Sequence, residues 1–238
     1  MILNLPPTGQ VGNLPDTKGS KLFIVTAPNL LTKKYMFEKR IFLNAGHSIK
    51  DPGAVVNNKK ESEEVMKIRD LLIPMLKRND FEIHVVPDDL NLIQSISWVN
   101  KRVGSMNGGL AFSIHLNAGG GEGAESFYYK NNKDSKVIAK TLIDEYCRYT
   151  KLRNRGAKSD TRAYAKRLGW IRDTTPWSTL IECYFIDNKD TAITNKTIAE
   201  GIYYGICKVY NEEPVILEEK VDNKEDIKNQ IINLLKQL

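Results

Sequence analysis

Three ionisable side chains stand at points where short apolar runs of the sequence end. His47 follows the run IFLNA, His115 lies near the end of AFSIH, and Glu182 ends TLIE. If these runs are parallel strands, their carboxyl ends meet at one edge of a sheet, which is where α/β proteins place their sites. A further carboxylate, Glu61, begins a predicted helix seven residues after Ala54. The pattern therefore predicts two imidazoles and two carboxylates at one edge.

These side chains match the requirements of a catalytic zinc site. Two imidazoles and one carboxylate, from His47, His115 and Glu61, leave a fourth position for a water, whose pKa falls to about 7 on the metal. A second carboxylate outside the metal shell must carry a proton to the leaving amine, and Glu182 is the candidate. The ligands do not form a local HExxH motif. Spacing alone therefore leaves open that the histidines are structural, which is the interpretation we give His84 in FEIHVV.

The elements that must position these residues alternate along the chain. The predicted strands are IFLNA, FEIHVVP, LAFSIHLNA, GAESFYY and STLIECYFI. The predicted helices span residues 61–78, 92–109, 135–149 and 191–210, and the first places Val65, Ile68, Leu72 and Leu76 on one face. Strands that alternate with helices of this length indicate a layered α/β fold with a mostly parallel sheet flanked by helices.

The pattern divides the chain into three parts. Residues 1–39 are rich in Pro, Gly, Asn and Lys and predict an N-terminal arm or edge hairpin, and residues 40–210 form the predicted catalytic domain. Residues 211–238 predict a charged linker and a terminal amphipathic helix. We expect that helix to dock on its own domain, pair with a second copy, or bind a partner, and the sequence leaves these open.

Composition and charge exclude several classes of protein. Hydrophobic residues make up 41% and charged residues 27% of the 238, which excludes collagen-like and wholly disordered chains. Residues 133–172 hold twelve Lys and Arg against four Asp and Glu. Such a stretch attracts polyanions, among them anionic wall polymers. The chain carries no nucleic-acid-binding motif, so we expect no nucleic-acid partner.

Five segments carry a resemblance to a known family. They are NAGHSIKDPGAVVNNKKE, FSIHLNAG, GAESFYY, RGAK and STLIECYFIDNKD. In this order and at these separations they resemble the zinc-dependent N-acetylmuramoyl-L-alanine amidases of the type called Amidase_3, found in bacterial autolysins and phage endolysins. The resemblance covers about residues 40–210. It implies a peptidoglycan hydrolase that cleaves the amide between N-acetylmuramic acid and L-alanine of the stem peptide.

The resemblance also assigns roles to residues. It implies that His47, Glu61 and His115 hold the zinc, and that Glu182 matches the catalytic glutamate of the family's hydrophobic-E-x-x-F motif. Glu64 lies on nearly the same helix face as Glu61 and is the fallback ligand. The family commonly has a glycine pair after the first histidine, where this chain has Ser48 and Ile49.

Three further residues are candidates for contact with the substrate. Asn117, just past His115, is expected to hydrogen-bond the peptide, with a strand-end turn residue as the alternative. Arg155 and Lys158, in the RGAK segment, are expected to meet carboxylates of D-Glu or diaminopimelate, with solvated surface charges as the alternative. The partner that the resemblance implies is therefore peptidoglycan.

Two other functions and the setting stay open at this point. A cell-wall-binding module that lost turnover and a zinc carboxypeptidase on a related fold are the alternatives. No apolar run approaches the roughly 18 to 20 residues of a membrane span, and the start MILNLPPTGQ lacks the features of a signal peptide. We therefore expect a protein made in the cytosol that acts on the cell wall, released by a phage or carried on the virion.

Overall fold

A computed structural model describes residues 38–103, 108–188 and 192–216, together with Ile232 and Leu235. The strands in these residues are β1 (Arg40–Ala45), β2 (Val55–Val56), β3 (Lys59–Lys60), β4 (Glu82–Val85), β5 (Leu110–Asn117), β6 (Ala124–Tyr128), β7 (Asn154–Ser159) and β8 (Trp177–Phe185). The helices are α1 (Glu61–Arg78), α2 (Leu92–Val103), α3 (Lys133–Thr150), α4 (Gly169–Asp173) and α5 (Asn195–Tyr210).

The main sheet has the strand order β4-β1-β5-β8-β6-β7, and β2 pairs with β3 in a separate hairpin. β4, β1, β5 and β8 run parallel to one another. β6 pairs antiparallel with β8 and parallel with β7. The predicted α/β fold with a mostly parallel sheet is confirmed, because four of the five junctions between neighbouring strands of the main sheet are parallel.

Alternation along the strands divides the core into two layers. On β1, Ile41 and Leu43 belong to the core cluster that includes the apolar faces of α1, α3 and α5. Phe42, between them, belongs to the second cluster, which includes residues of α2 and α4. Successive side chains of a strand point to opposite faces, so the sheet is covered on both sides. The predicted site lies on the same face of the sheet as this second cluster.

The helices form where the sequence supplies amphipathic faces and end signals. α1 has the predicted bounds, and it begins with three acidic residues, which suit the positive end of the helix dipole. Asn132 caps the start of α3, where its side chain accepts a hydrogen bond from the backbone N–H of Ser135, and Thr194 caps the start of α5 in the same way. Both helices are followed by a capping residue in the left-handed conformation, Lys151 after α3 and Asn211 after α5.

β7, the edge strand over residues 154–159, was not predicted from the sequence. Its sequence NRGAKS has neither the apolar alternation nor the β-branched residues that identify a strand. It is stabilised by pairing with β6 on one side, and its residues are partly or fully exposed. The RGAK segment is therefore part of the sheet.

The described chain enters and leaves the domain at the edge where the parallel strands begin. The hydroxyl of Tyr210, at the end of α5, donates to the backbone oxygen of Arg40, the first residue of β1, at 3.3 Å. After α5, the backbone oxygen of Glu213 accepts from the Asn79 side chain at 2.9 Å, and the backbone N–H of Val215 donates to Tyr203 at 2.7 Å. The segment after α5 is thus fastened to the domain.

Two predicted parts of the chain lie largely outside the described residues. These are the arm at 1–39, of which only residues 38 and 39 are described, and most of 217–238. Of the predicted terminal helix, Ile232 and Leu235 are described, and both are helical and exposed. The proposed division into three parts stays a prediction. Across the described segments, no helix has the length and apolar character that crossing a membrane requires.

Candidate metal centre and catalytic site

The structure brings the three predicted metal ligands together. His47 lies in the loop after β1, Glu61 is the first residue of α1, and His115 lies two residues before the end of β5. Their ligand atoms all lie within 4.8 Å of one another. Residues that are distant in sequence meet because β1 and β5 are parallel neighbours and the chain returns from β1 through α1.

Glu61 is the centre of this triad. Its Oε2 lies 3.0 Å from Nε2 of His47, and its Oε1 lies 3.2 Å from Nδ1 of His115. The same two oxygens accept hydrogen bonds from the backbone N–H groups of Ala54, at 3.1 Å, and Leu116, at 3.0 Å. The carboxylate is therefore fixed in position by the loop after β1 and by β5.

His47 is oriented by a residue that the sequence analysis did not identify. Nδ1 of His47 lies 2.9 Å from Oδ2 of Asp51, which leaves Nε2 directed at Glu61. His47 itself has φ of 67°, a left-handed conformation that is uncommon for a residue with a side chain. A Cβ on Gly53, also at positive φ, would come within 2.6 Å of the imidazole, so only glycine fits there. Carboxylates that hold the far nitrogen of a ligating histidine are common around zinc.

The triad is strongly coupled electrostatically. Burial alone would lower the pKa of His47, but hydrogen bonds and charge attraction from Glu61 and Asp51 outweigh it and raise that pKa to about 9. Burial alone would raise the pKa of Glu61, but the two histidines lower it well below its usual range. The carboxylate is thus ionised, and the site carries the negative oxygen that a cation requires.

The donor set fits a zinc ion. Metal–ligand distances of about 2.0 to 2.2 Å in a tetrahedral site place neighbouring ligand atoms roughly 3.3 Å apart. Oε2 of Glu61 lies 3.0 Å from His47 and its Oε1 lies 3.2 Å from His115, and one ligand atom from each of the three residues lies within 4.8 Å of the others, so the set is near that spacing. Two imidazole nitrogens and one carboxylate oxygen are also the ligand types of catalytic zinc sites.

Glu182 stands beside the triad on β8. Its Cα is paired with that of His115 across the β5–β8 junction, so both side chains lie on the same face of the sheet. Its Oε2 is buried and has no hydrogen-bond partner among the described residues. Burial and the negative charges of Glu61 and Glu125 raise the pKa of Glu182 well above its usual range. A carboxyl group that retains its proton more readily than usual suits proton transfer.

The three predicted substrate contacts converge on one carboxylate that the sequence analysis missed. Oε1 of Glu125, on β6, accepts from the Asn117 side chain at 2.9 Å. Its Oε2 accepts from Nε of Arg155 at 2.8 Å and from the ammonium of Lys158. Glu125 is also the Cα partner of Glu182 across the antiparallel junction. The predicted residues therefore form one cluster next to Glu182.

Two other candidates lie apart from the triad. Glu64, the fallback ligand, accepts instead from Lys67, at 2.7 Å, and from Asn195, at 3.0 Å. His84, on the edge strand β4, is partly exposed and stacks on Phe42 with 5.1 Å between ring centroids. Neither belongs to the ligand cluster.

One surface groove lies away from this chemistry. A groove of about 420 Å³ is lined by Tyr129, Arg172 and Trp177, among others, near the beginnings of β5 and β8. Since the triad lies at the carboxyl ends of β1 and β5, this groove is at the opposite edge of the sheet. The side chains, and not the shape of the surface, identify the site.

Comparisons with known proteins agree with this geometry. The Bacillus phage SPP1 endolysin is 30% identical over 182 residues, covering 73% of this chain and 66% of the phage protein. The N-acetylmuramoyl-L-alanine amidase CwlM of Bacillus licheniformis is 26% identical over 181 residues, covering 72% of this chain and 69% of CwlM. The chain thus spans about two thirds of the length of these relatives.

A solved structure and a family match complete the comparison. The CwlD amidase from Clostridioides difficile, solved in complex with the GerS lipoprotein, is 27% identical with a TM-score of 0.61, and the alignment covers 73% of this chain and 99% of CwlD. The sequence model described as N-acetylmuramoyl-L-alanine amidase matches residues 41–208, which include every candidate site residue. Because this match covers more than two thirds of the 238 residues, the chain belongs to the N-acetylmuramoyl-L-alanine amidase family.

Proposed function

We propose that this protein is a lytic, zinc-dependent amidase that hydrolyses the bond between N-acetylmuramic acid and L-alanine in peptidoglycan. The observation that carries the proposal is the meeting of His47, Glu61 and His115 beside Glu182, in a chain of the amidase family. The two histidines and Glu61 would hold the zinc. When bound, the zinc would polarise the scissile carbonyl and lower the pKa of water.

The chain's own residues prepare the triad for this task. Asp51 holds Nδ1 of His47, so that Nε2 remains directed into the site. The backbone N–H groups of Ala54 and Leu116 hold Glu61. Metal binding therefore requires little rearrangement, because the ligands are already placed by the loop after β1 and by β5.

Glu182 is the proposed general base and acid. Its carboxylate takes the proton of the attacking water, while the oxygen of that water bonds to the lactyl carbonyl carbon. It then gives the proton to the nitrogen of L-alanine as the amide C–N bond breaks. The raised pKa of Glu182, caused by burial and by the neighbouring carboxylates, supports this role, because a proton carrier works best with a pKa near the working pH.

The cluster around Glu125 provides the proposed substrate contacts. Asn117 donates one amide N–H to Glu125 and retains another for the peptide. Arg155 and Lys158 keep N–H donors beyond those that Glu125 accepts, and their side chains are 29% and 24% exposed. These donors suit carboxylates of the stem peptide.

The proposed place of action is the bacterial cell wall. Similarity to the SPP1 endolysin supports a phage lysin, and similarity to the amidase CwlM of Bacillus licheniformis supports a bacterial amidase. We favour the phage lysin, in agreement with the expectation from the sequence. The exposed basic residues of the 133–172 stretch support attraction to anionic wall polymers.

Digestion of several purified peptidoglycans tests the function. We expect new lactyl carboxylates and new L-alanine amino termini, identified by mass spectrometry of the released ends. Release of single carboxy-terminal amino acids would instead indicate a carboxypeptidase. Retention on the wall without new ends would indicate a binding module, and either result would overturn the proposal.

A further inference from the structure

Glu125 is a buried carboxylate to which the proposed reaction gives no step. Its side chain is 7% exposed, and its two oxygens are divided between different partners. One accepts from Asn117, and the other accepts from Arg155 and Lys158. Burial alone would raise the pKa of Glu125, but hydrogen bonds from the two cations outweigh it and lower that pKa. This arrangement orders three side chains from two other strands.

A bulge in β7 brings both cations, Arg155 and Lys158, to Glu125. Ala124 pairs with Asn154, but Ser126 pairs with Ala157, so β7 contains one extra residue at this point. The extra residue lies at Gly156, whose φ of 81° suits such a bulge. In a regular strand, residues two apart share a face, whereas here the bulge places residues three apart, Arg155 and Lys158, on the same side.

The cluster has an excess of one positive charge. Two cations share one carboxylate, and the guanidinium of Arg155 also lies 4.9 Å from the centre of the Phe185 ring. Both cations are partly exposed, so their remaining N–H donors are within reach of solvent. Two fixed donors with a net positive charge match the geometry of a carboxylate ligand.

We propose that Glu125 is a positioning residue that holds Arg155 and Lys158 in place as a subsite for a stem-peptide carboxylate. The inference rests on the proposed function, because it assumes that muramoyl peptides are the substrates. It gives the enzyme a preference for peptides whose second residue carries a free carboxylate over peptides in which that group is an amide.

Glu125 is expected to strengthen substrate binding because it restricts the conformational freedom of the Arg155 and Lys158 side chains. Arg and Lys lose more rotamer entropy on ordering than most residues, and Glu125 orders both before the substrate arrives. Removing Glu125 would also expose more positive charge, but water and salt screen charges at partly exposed positions. Loss of positioning should therefore outweigh the additional attraction.

The test uses two soluble substrates. The first is a muramoyl tripeptide whose second residue, D-Glu, is bonded to the third through its γ-carboxyl group and so carries one free carboxylate. The second is the same compound with that carboxylate amidated. The zinc-loaded protein should cleave the acid at least about tenfold more efficiently in kcat/KM. Glu125→Gln should remove most of this preference, because KM for the acid rises about tenfold while kcat changes much less and the zinc content is retained. Glu122→Gln is the matched control, since the side chain of Glu122 pairs with the exposed Arg153, and only its backbone oxygen, which the substitution keeps, accepts from Arg155.

The possible results separate the inference from the proposed function. An equal loss on both substrates would reduce Glu125 to a structural role, and a preference retained by Glu125→Gln would also overturn the inference. If Glu125→Gln fails to fold, Lys158→Gln takes its place, because Arg155 still pairs with Glu125 in Lys158→Gln. An unchanged preference for the acid in Lys158→Gln would overturn the inference as well. Failure of the unaltered protein to cut either compound, or its walls, would instead contradict the proposed function.

Discussion

Glu182 and Glu125 are paired Cα to Cα across the antiparallel junction between β8 and β6, so the two side chains share one face of the sheet. Asn117, Arg155 and Lys158 surround Glu125, whereas one oxygen of Glu182 is buried without a partner among the described residues. Cations lower the pKa of Glu125 despite its burial, while burial and nearby carboxylates raise the pKa of Glu182. Adjacent carboxylates are thus prepared for different tasks, one for binding and one for proton transfer.

Glu182→Gln should retain the zinc and lose at least about a hundredfold in rate, since a positioned general acid or base contributes at least that factor. It should also raise the melting temperature at neutral pH, where each 1 kcal/mol of stability corresponds to about 2 to 4 °C in a domain of this size. The reason is that the pKa of Glu182 is higher in the folded protein than in the unfolded chain. At a pH above the unfolded pKa, the unfolded chain loses this proton more readily than the folded protein does, and this difference lowers the stability of the fold. Muropeptide cleavage and calorimetry measure the two effects. Near-normal lysis by this variant would refute the proposed role.

His115→Ala should lose most of the zinc, because two remaining ligands do not form a closed site. Elemental analysis of the purified variant measures the effect. His84→Ala is the matched control, since His84 lies on β4 outside the triad and should leave the zinc content unchanged. Full zinc occupancy in His115→Ala would show that the ligand assignment is wrong.

Zinc affinity should depend on pH through His47. The metal binds the neutral imidazole, and the pKa of His47 in the metal-free protein is raised to about 9, so apparent affinity should fall about tenfold for each pH unit below that value. The stability that protonated His47 gives the metal-free fold has the opposite trend: it is fully present below about pH 6.5 and is lost as pH rises through about 9. Zinc titrations at pH 7, 8 and 9.5 test this. Affinity that does not change over this range would contradict the coupling between His47, Glu61 and Asp51.

Truncation after Ile216 and truncation after Tyr210 should both leave muropeptide cleavage intact. Only truncation after Tyr210 should lower the melting temperature. The shorter chain lacks Glu213 and Val215, so the buried side chain of Asn79 loses their backbone groups. An unsatisfied buried polar group costs about 1 to 3 kcal/mol. Light scattering of both forms tests whether residues after 216 join two chains. Loss of zinc binding in a folded protein cut after Ile216 would show that the tail belongs to the site.

Added salt should slow the lysis of whole walls far more than the cleavage of a soluble muropeptide. Attraction between exposed charges is screened over roughly 8 Å at physiological ionic strength. Reversing the charges of Lys151, Arg153 and Lys166, which are exposed in the basic stretch, should mimic the effect of salt. Equal salt sensitivity on both substrates would exclude steering by these residues.

The control for this prediction keeps the same change in net charge at exposed positions outside the basic stretch. It reverses Lys77, Lys101 and Lys208. If steering depends on the position of the charge, this variant should lyse walls faster than the first one at low salt. If only net charge matters, the two variants should be equal.

Much of the fold was predictable because its signals are local. The face of α1 formed by Val65, Ile68, Leu72 and Leu76 is buried as its spacing predicts. The positions of His47 and His115 at the ends of apolar runs likewise predicted that they meet, since β1 and β5 proved to be parallel neighbours. A long periodic helix or a short apolar strand carries its own evidence in sequence.

The roles of Glu125 and Asp51 were not predictable in the same way. Glu125 reads as an ordinary alternating residue of the strand GAESFYY, and its importance depends on which strand lies on each side. β7 carries no strand signal, and the bulge at Gly156 decides which of its residues face Glu125. Asp51 acts through a loop conformation that includes the left-handed backbone of His47. Such contacts depend on three-dimensional neighbours and not on periodicity.

The anchoring of residues 213–215 at the edge opposite the metal triad makes the protein suitable for oriented immobilisation. Ile216 is 68% exposed there, while the three native cysteines are buried. A single thiol introduced as Ile216→Cys would therefore couple selectively to a bead and direct the triad outward. For a hydrolase whose substrate is an insoluble polymer, that orientation determines whether the attached protein meets the polymer with its reactive side.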